Sequence, residues 1–256
     1  MRRYSACIEW LFAEEGDFFP DRIRRAHAGD LTAIEFWRWT DKDLDAIEAA
    51  LKETGLAVTS LVAEPMIALT DAANRQAWLE GLAESAAVAR RLGAPVLIAQ
   101  AGDDLPDLSR EEQRQALTET LRAGADVLAG SGVRLGVEPL NTRIDHIGYF
   151  LASTREGLDI VDDVARPEIG IVYDIYHSAV MDERTDEVLQ GRLDRVFHVH
   201  VADHPGRNEP GSGGIDLAHR LNWIFANGYD GAVGLEYRPT RSGADAVKAA
   251  IASLGG

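Results

Sequence analysis

Eight times along this chain of 256 residues, a short apolar run is followed by a longer segment with apolar residues at helical spacing. The short runs have the length and the nearly continuous apolar content of strands that are covered on both faces. Strands are predicted at 4–9, 32–36, 57–62, 95–100, 133–138, 169–174, 196–200 and 232–236. Helices are predicted at 19–28, 41–53, 71–92, 109–129, 153–164, 183–190, 216–227 and 242–254. This alternation favours a parallel sheet, because parallel neighbours need a long crossover, usually a helix.

The number of strand–helix units narrows the fold further. Eight units in about 250 residues match a closed (β/α)8 TIM barrel. An open, doubly wound parallel sheet is the alternative. The chain has no interdomain linker, no low-complexity segment and no repeat beyond the strand–helix alternation, so we expect a single domain over residues 1–256.

The composition excludes several functional classes. The chain carries 26 Lys and Arg against 42 Asp and Glu, a formal net charge of −16 at pH 7. Such a surface repels phosphate backbones, so no nucleic-acid partner is expected. No apolar run approaches the roughly 20 residues of a membrane helix, and the N-terminus lacks signal-peptide features. One cysteine, Cys7, cannot form an internal disulfide; we expect it in the core of a cytoplasmic protein.

Four potential ligands stand at the ends of four successive predicted strands: Glu138, Asp174, His200 and Glu236. The carboxyl ends of all strands open on one face of a parallel barrel, so these side chains would converge there. Three carboxylates that close together repel one another unless a cation lies between them. Oxygen ligands favour Mg²⁺ or Mn²⁺, and one imidazole shifts the preference toward Mn²⁺ or Co²⁺. The alternative is that each acid only caps its strand or the following helix.

Two further side chains are candidates for substrate contact. His177 follows Asp174 by three residues, and Arg207 lies in the long connection after the seventh predicted strand. An arginine near this face suits a substrate carboxylate or hydroxyl, because its guanidinium can form two parallel hydrogen bonds. Equally, Arg207 could neutralise a neighbouring acid, and His177 could be an ordinary loop or cap histidine. His198 lies one layer deeper than His200, and we expect it to be a hydrogen-bonded core residue.

Several other residues at strand ends could either line the pocket or only pack within the protein. Glu9, Glu64 and Gln100 end the first, third and fourth predicted strands, and Trp37 and Trp39 follow the second. The glycine-rich stretch 211–214 does not follow the strand–loop–helix pattern of a phosphate-binding loop.

Four motifs resemble the hydroxypyruvate isomerase family, within the superfamily of xylose isomerase-like barrels, and the resemblance extends over nearly the whole chain. They are VEPLN at 137–141, YDIYH at 173–177, HVHVADHPGRNEPGSGGID at 198–216 and LEYRP at 235–239. The segment 8–10 and the FWRW sequence at 36–39 depart from the family pattern, and the family can have glutamine where this chain has His200. Because these segments shape the pocket, the substrate is less well defined than the reaction.

The resemblance implies roles for the strand-end residues. It implies a metal site of Glu138, Asp174, His200 and Glu236, with Glu138 and Glu236 as the acid–base pair. It also implies that His177 and Arg207 lie near the substrate.

We therefore expect a metal-dependent aldose–ketose isomerase of a short hydroxy-carbonyl compound, such as hydroxypyruvate giving tartronate semialdehyde through an enediolate. One glutamate would take a proton from carbon and the other would return one. The same barrel could also be a ketose 3-epimerase or a keto-inositol isomerase or dehydratase. An apurinic-site endonuclease would need more histidine ligands and a basic groove; a non-catalytic sugar-binding protein is the remaining alternative. The expected partner is a small sugar or keto acid. A homo-oligomer is a further option, through exposed aromatics such as Trp37 or Phe150.

Overall fold

A single sheet of parallel strands forms the centre of the structure, a computed structural model that describes residues 2–13 and 16–255. Within these residues the strands are β1 Arg3–Cys7, β2 Ala33–Glu35, β3 Ala57–Val58, β4 Ser60–Val62, β5 Val96–Ala99, β6 Arg134–Val137, β7 Ile169–Asp174, β8 Val196–Val201 and β9 Ala232–Leu235. Their order in the sheet is β3-β2-β1-β9-β8-β7-β6-β5-β4. All neighbouring strands run parallel.

The two ends of this order belong to one predicted strand, so the sheet closes into a barrel. β3 and β4 are separated only by Thr59. The Thr59 backbone N–H donates to the Ile34 carbonyl, and the Val62 N–H donates to the Trp37 carbonyl, each over 3.0 Å. Contact with β2 therefore continues along both pieces. The predicted (β/α)8 TIM barrel is confirmed, and the open doubly wound sheet is excluded.

Helices connect the strands and cover the outside of the barrel. They are α1 Phe19–Ala28, α2 Leu44–Thr54, α3 Arg75–Leu92, α4 Arg110–Leu128, α5 Thr154–Val164, α6 Ile175–Val180, α7 Thr185–Val188, α8 Leu217–Ala226 and α9 Ala244–Ser253. The short α6, which begins directly after β7, was not predicted from the sequence. The predicted helix at 183–190 is reduced to the single turn of α7.

The strands are buried almost throughout, as expected for strands between a filled interior and a helical layer. Cys7 is free and buried, as predicted. Phe150 is also buried and Trp37 is partly buried, so neither is the exposed aromatic contact that the sequence analysis expected. In the part of the chain that the structure describes, no helix is long and apolar enough to cross a membrane.

Candidate active site

Four side chains meet at the carboxyl ends of four neighbouring strands. Glu138 follows β6, Asp174 ends β7, His200 lies near the end of β8, and Glu236 follows β9. All four are buried, and each offers a ligand atom within 4.8 Å of those of the others. The strand register produces this convergence, because Asp174 and His200 are direct partners in the β7–β8 ladder. We call these four residues the strand-end cluster.

His200 links two glutamates of the strand-end cluster. Its Nδ1 lies 3.1 Å from Glu138 Oε1 and 3.7 Å from Glu236 Oε2. Burial opposes the charged imidazolium, but the carboxylates of Glu236 and Glu35 raise the pKa of His200 well above its ordinary value. The acids around the ring therefore favour its positively charged form.

Asp174 both caps a helix and faces the cluster. Its Oδ1 accepts the Tyr176 and His177 backbone N–H groups at the start of α6, over 2.7 and 3.2 Å. Its Oδ2 is buried and has no hydrogen-bond partner among the described residues. Burial raises the pKa of Asp174 to about 7. The capping alternative is therefore correct for one oxygen, while the other is free for a ligand.

The donor set fits a divalent cation. Three carboxylates and one imidazole nitrogen stand close together, and Asp174 Oδ2 lacks the partner that a buried oxygen normally has. A cation at this position would satisfy that oxygen and offset the repulsion among the acids. Oxygen-rich ligation with one imidazole suits Mg²⁺, Mn²⁺ or Co²⁺.

Glu35, which the sequence analysis missed, lies behind His200. Its Oε1 is 3.2 Å from His200 Nε2, and its Oε2 is 2.8 Å from His198 Nε2. The Ser5, Thr59 and Ser60 hydroxyls also donate to Oε2, over 2.8, 3.0 and 3.3 Å. Burial favours neutral Glu35, yet the two imidazoles hold its pKa well below the ordinary value. An acid inside an apolar strand was the available signal, because such residues are almost never buried without partners.

A glycine on the neighbouring strand makes room for this contact. A Cβ at Gly234 would lie 2.3 Å from Glu35 Oε1 and 2.6 Å from His200 Cδ2. Only glycine therefore fits beside the Glu35–His200 pair as it stands.

His177 presents one ring nitrogen toward the cluster. The Asn141 backbone N–H donates to His177 Nδ1 over 3.1 Å, so the ring proton of the neutral form lies on Nε2. Nε2 is 3.7 Å from Asp174 Oδ2 and has no hydrogen-bond partner among the described residues. Burial and the positive charge of Arg207 lower the pKa of His177 well below its ordinary value. His177 is thus a neutral donor with an unused N–H at the cluster.

Arg207 contacts the cluster directly. Its Nη2 lies 2.5 Å from Glu236 Oε2 and 3.7 Å from Asp174 Oδ2, and only 7% of the residue is exposed. The structure therefore agrees with the alternative in which this arginine neutralises neighbouring acids.

The loop that carries Arg207 is organised by the buried side chain of Asp203. This carboxylate accepts the backbone N–H groups of His204, Gly211, Gly213 and Ile215. Within the loop, the Arg207 backbone has a φ of 54°.

A cavity of about 300 Å³ lies against the cluster, and Glu138, Glu236 and Arg207 line it. Trp10 and Trp37 form one wall, edge to face with ring centroids 4.9 Å apart. The Trp37 indole N–H donates to Glu236 Oε1 over 2.7 Å. Gln100 also lines the cavity.

The remaining open candidates support the loop that carries Trp37. Glu9 Oε1 accepts the Trp37 backbone N–H over 3.1 Å, and Glu64 Oε2 accepts those of Trp39 and Thr40. The Trp39 indole donates to Ser85 Oγ on α3. Glu9, Glu64 and Trp39 therefore serve packing and loop support.

Comparisons with known proteins agree with this geometry. Residues 23–255 match the family model described as xylose isomerase-like TIM barrel. Hydroxypyruvate isomerase of Escherichia coli (strain K12) is 30% identical, over 93% of this chain and 94% of its own length. 2-Oxo-tetronate isomerase of Cupriavidus necator is 28% identical, over 96% of each chain. A crystal structure from Brucella melitensis, described as an AP endonuclease of family 2, superposes with a TM-score of 0.89 at 27% identity, covering 96% of this chain and 97% of that one. The chain therefore belongs to the xylose isomerase-like TIM barrel family and, within it, to the hydroxypyruvate isomerase family.

Proposed function

We propose that this isomerase interconverts hydroxypyruvate, or a closely related short hydroxy-carbonyl compound, with its aldehyde isomer by proton transfer through an enediolate. The observation that carries the proposal is the position of Glu138 and Glu236, which lie 3.1 and 3.7 Å from the same nitrogen of His200 and both line the cavity. The names of the relatives support this reaction class.

The strand-end cluster would hold a divalent metal through Glu138, Asp174, His200 and Glu236. Magnesium and manganese suit its three carboxylates, and cobalt is a further candidate because of the imidazole. The chemistry supplied by such an ion is stabilisation of negative charge on the carbonyl and neighbouring hydroxyl oxygens of the substrate.

The two glutamates would move the proton between adjacent carbons. One takes a proton from the hydroxyl-bearing carbon of hydroxypyruvate, and the electron pair of that C–H bond forms the enediolate double bond. The other returns a proton to the former carbonyl carbon. A second proton passes from the hydroxyl oxygen to the former carbonyl oxygen, which yields tartronate semialdehyde. Each carboxylate lies in the cavity wall, within reach of a bound substrate.

His177 and Arg207 would act on the substrate in different ways. The unused Nε2–H of His177 would donate to a substrate oxygen, and the lowered pKa keeps this ring neutral. Arg207 would hold Glu236 in place and add positive charge beside the reacting oxygens.

Epimerisation at C3 of a ketose, or isomerisation or dehydration of a keto-inositol, is the second candidate. The cavity volume of about 300 Å³ favours such a larger substrate, because a three-carbon acid leaves much of this space unfilled. The same pair of glutamates could act on one carbon from both faces. A cytoplasmic location and a homo-oligomeric state stay predictions.

The test is deuterium incorporation from D2O, followed by NMR. Chelated protein and Mn²⁺-restored protein are incubated with hydroxypyruvate and with a panel of short ketoses. We expect metal-dependent deuterium at carbon and tartronate semialdehyde as product. Glu138→Gln and Glu236→Gln should each lower the rate by about 10²- to 10⁴-fold, the usual contribution of an acid–base group. Glu111→Gln, on the exposed side of α4, is the matched control. Full activity in either cluster variant would refute the acid–base role.

A further inference from the structure

Three arginines line the cavity, and carboxylates neutralise two of them. Arg38 Nε lies 2.8 Å from Glu64 Oε1. Arg207 Nη2 lies 2.5 Å from Glu236 Oε2. Arg238 forms no ion pair with any carboxylate in residues 2–13 and 16–255. Arg238 is therefore the arginine of the cavity wall without a carboxylate partner among the described residues, and it is an exposed residue.

The backbone of Arg238 is tied to the Arg207 loop. Its N–H donates to the Arg207 carbonyl over 2.7 Å, and its carbonyl accepts the Asn208 side-chain amide over 2.9 Å. Its guanidinium carbon lies 5.4 Å from the centroid of the Trp10 ring, against 5.1 Å for Arg207. This is within the range of a cation–π contact. Arg238 is thus held at the aromatic wall, two residues beyond Glu236.

The acids of the strand-end cluster have cationic partners other than Arg238, which leaves Arg238 for a ligand. A divalent ion and Arg207 together would neutralise the carboxylates of Glu138, Asp174 and Glu236. Asp145, the remaining acid of the cavity wall, accepts hydrogen bonds from Asn141 and Tyr176 over 2.8 and 2.7 Å. These neutral donors leave its negative charge in place, but among the described residues no ion pair joins it to Arg238. An anionic group on the substrate would find its matching charge at Arg238.

We propose that Arg238 is a specificity-determining residue that binds the carboxylate of the substrate, so that the enzyme selects 2-oxo acids with a neighbouring hydroxyl over neutral ketoses of equal length. This inference rests on the proposed function. The reacting hydroxyl and carbonyl face Glu138 and Glu236, and the carboxylate at the other end of the molecule faces Arg238. From the sequence this type of contact was expected of Arg207, whose charge is already paired with Glu236.

Two substrates of equal length test this selection. Hydroxypyruvate and dihydroxyacetone share the hydroxy-carbonyl group and differ in a carboxylate against a hydroxymethyl group. In Arg238→Gln, we expect KM for hydroxypyruvate to rise by about 10- to 100-fold, the range for loss of a hydrogen bond to a charged group. The kcat for hydroxypyruvate and the kcat/KM for dihydroxyacetone should change little. Arg238→Lys should restore part of the affinity, because it keeps the charge but not the planar fork.

A matched control and a binding measurement separate the outcomes. Arg241→Gln removes the same charge from an exposed position three residues on, and it should leave both substrates unaffected. Glycerate, which cannot isomerise, is titrated into the Mn²⁺-restored protein with glycerol as its neutral counterpart. Weaker glycerate binding in Arg238→Gln would support Arg238 as the residue that binds the carboxylate. This holds even if no substrate of the panel turns over, a result that would refute the proposed function but not the role of Arg238. Unchanged glycerate binding, or equal losses for the acid and the neutral compound, would overturn that role.

Discussion

Single residues at this site owe their function to a partner on another strand. His200 shows this most clearly: its Nδ1 faces Glu138 and Glu236, while its Nε2 faces Glu35. A carboxylate behind a ligating imidazole fixes the orientation of the ring and increases its basicity. We therefore expect Glu35 to act as a positioning residue for the strand-end cluster, although it is not among the residues that line the cavity.

We expect Glu35→Gln to weaken binding of Mn²⁺ by about 10- to 100-fold, the usual effect of losing such a partner. The neutral amide offers one acceptor oxygen to two imidazoles, so at least one of the two rings loses its partner. The affinity is measured by calorimetric titration of the chelated protein, and circular dichroism checks the fold.

Ser60→Ala is the matched control, because it removes one hydroxyl donor from Glu35 and leaves the His200 contact in place. We expect this variant to bind Mn²⁺ almost as tightly as the wild type. Equal Mn²⁺ affinity in Glu35→Gln and the wild type would show that the pair has no positioning role.

At the scale of elements, the loop between β2 and α2 carries a cavity wall that two acids hold in place. Glu9 accepts the backbone N–H of Trp37, and Glu64 accepts those of Trp39 and Thr40 and also pairs with Arg38. Burial opposes the charged form of Glu64, but these donors still lower its pKa below the ordinary value of 4.5. Ionised Glu64 therefore stabilises the folded loop.

The free energy of unfolding should follow the ionisation of Glu64. A lowered pKa in the folded state means that the contribution is complete above the ordinary pKa and disappears as the pH falls through the lowered one. We expect Glu64→Gln to cost about 1–3 kcal/mol at pH 7, because two backbone N–H groups lose a charged acceptor. The difference from the wild type should shrink as the pH falls below 4.5.

Urea unfolding of both proteins at pH 7, 5 and 3.5 measures this difference. Glu53→Gln, an exposed acid at the end of α2, controls for the loss of one surface charge. A cost that is the same at all three pH values would mean that Glu64 acts through its shape and not through its charge.

At the scale of the whole molecule, the strand–helix alternation was sufficient to predict the barrel. It was also sufficient to predict which side chains meet, because the ends of consecutive parallel strands share one face. The break at Thr59 was not predictable, because it depends on how β3 and β4 share their hydrogen bonds with β2 and β5. The role of Arg238 was out of reach, and Trp37 stayed open between pocket wall and packing, since both positions depend on how the loops fold over the mouth.

The buried acids of the strand-end cluster should make the stability of the whole barrel depend on a divalent ion. A ligand that binds only the native state stabilises it by about 2.7 kcal/mol at a free concentration of 100 times its Kd. For a chain of this size, 1 kcal/mol moves the Tm by roughly 2–4 °C, so we expect saturating Mn²⁺ to raise the Tm by about 5–10 °C over the chelated protein.

Calorimetric melting of the protein with chelator and with Mn²⁺ measures this increase. Asp174→Asn gives a matched comparison, because its amide keeps an oxygen that can cap α6 but removes one ligand charge. We expect the Mn²⁺-dependent increase to be much smaller in that variant. If the Tm of the wild type were equal with chelator and with Mn²⁺, the cluster would not bind the ion in the native state, since any ion bound only by the folded barrel must raise its melting temperature.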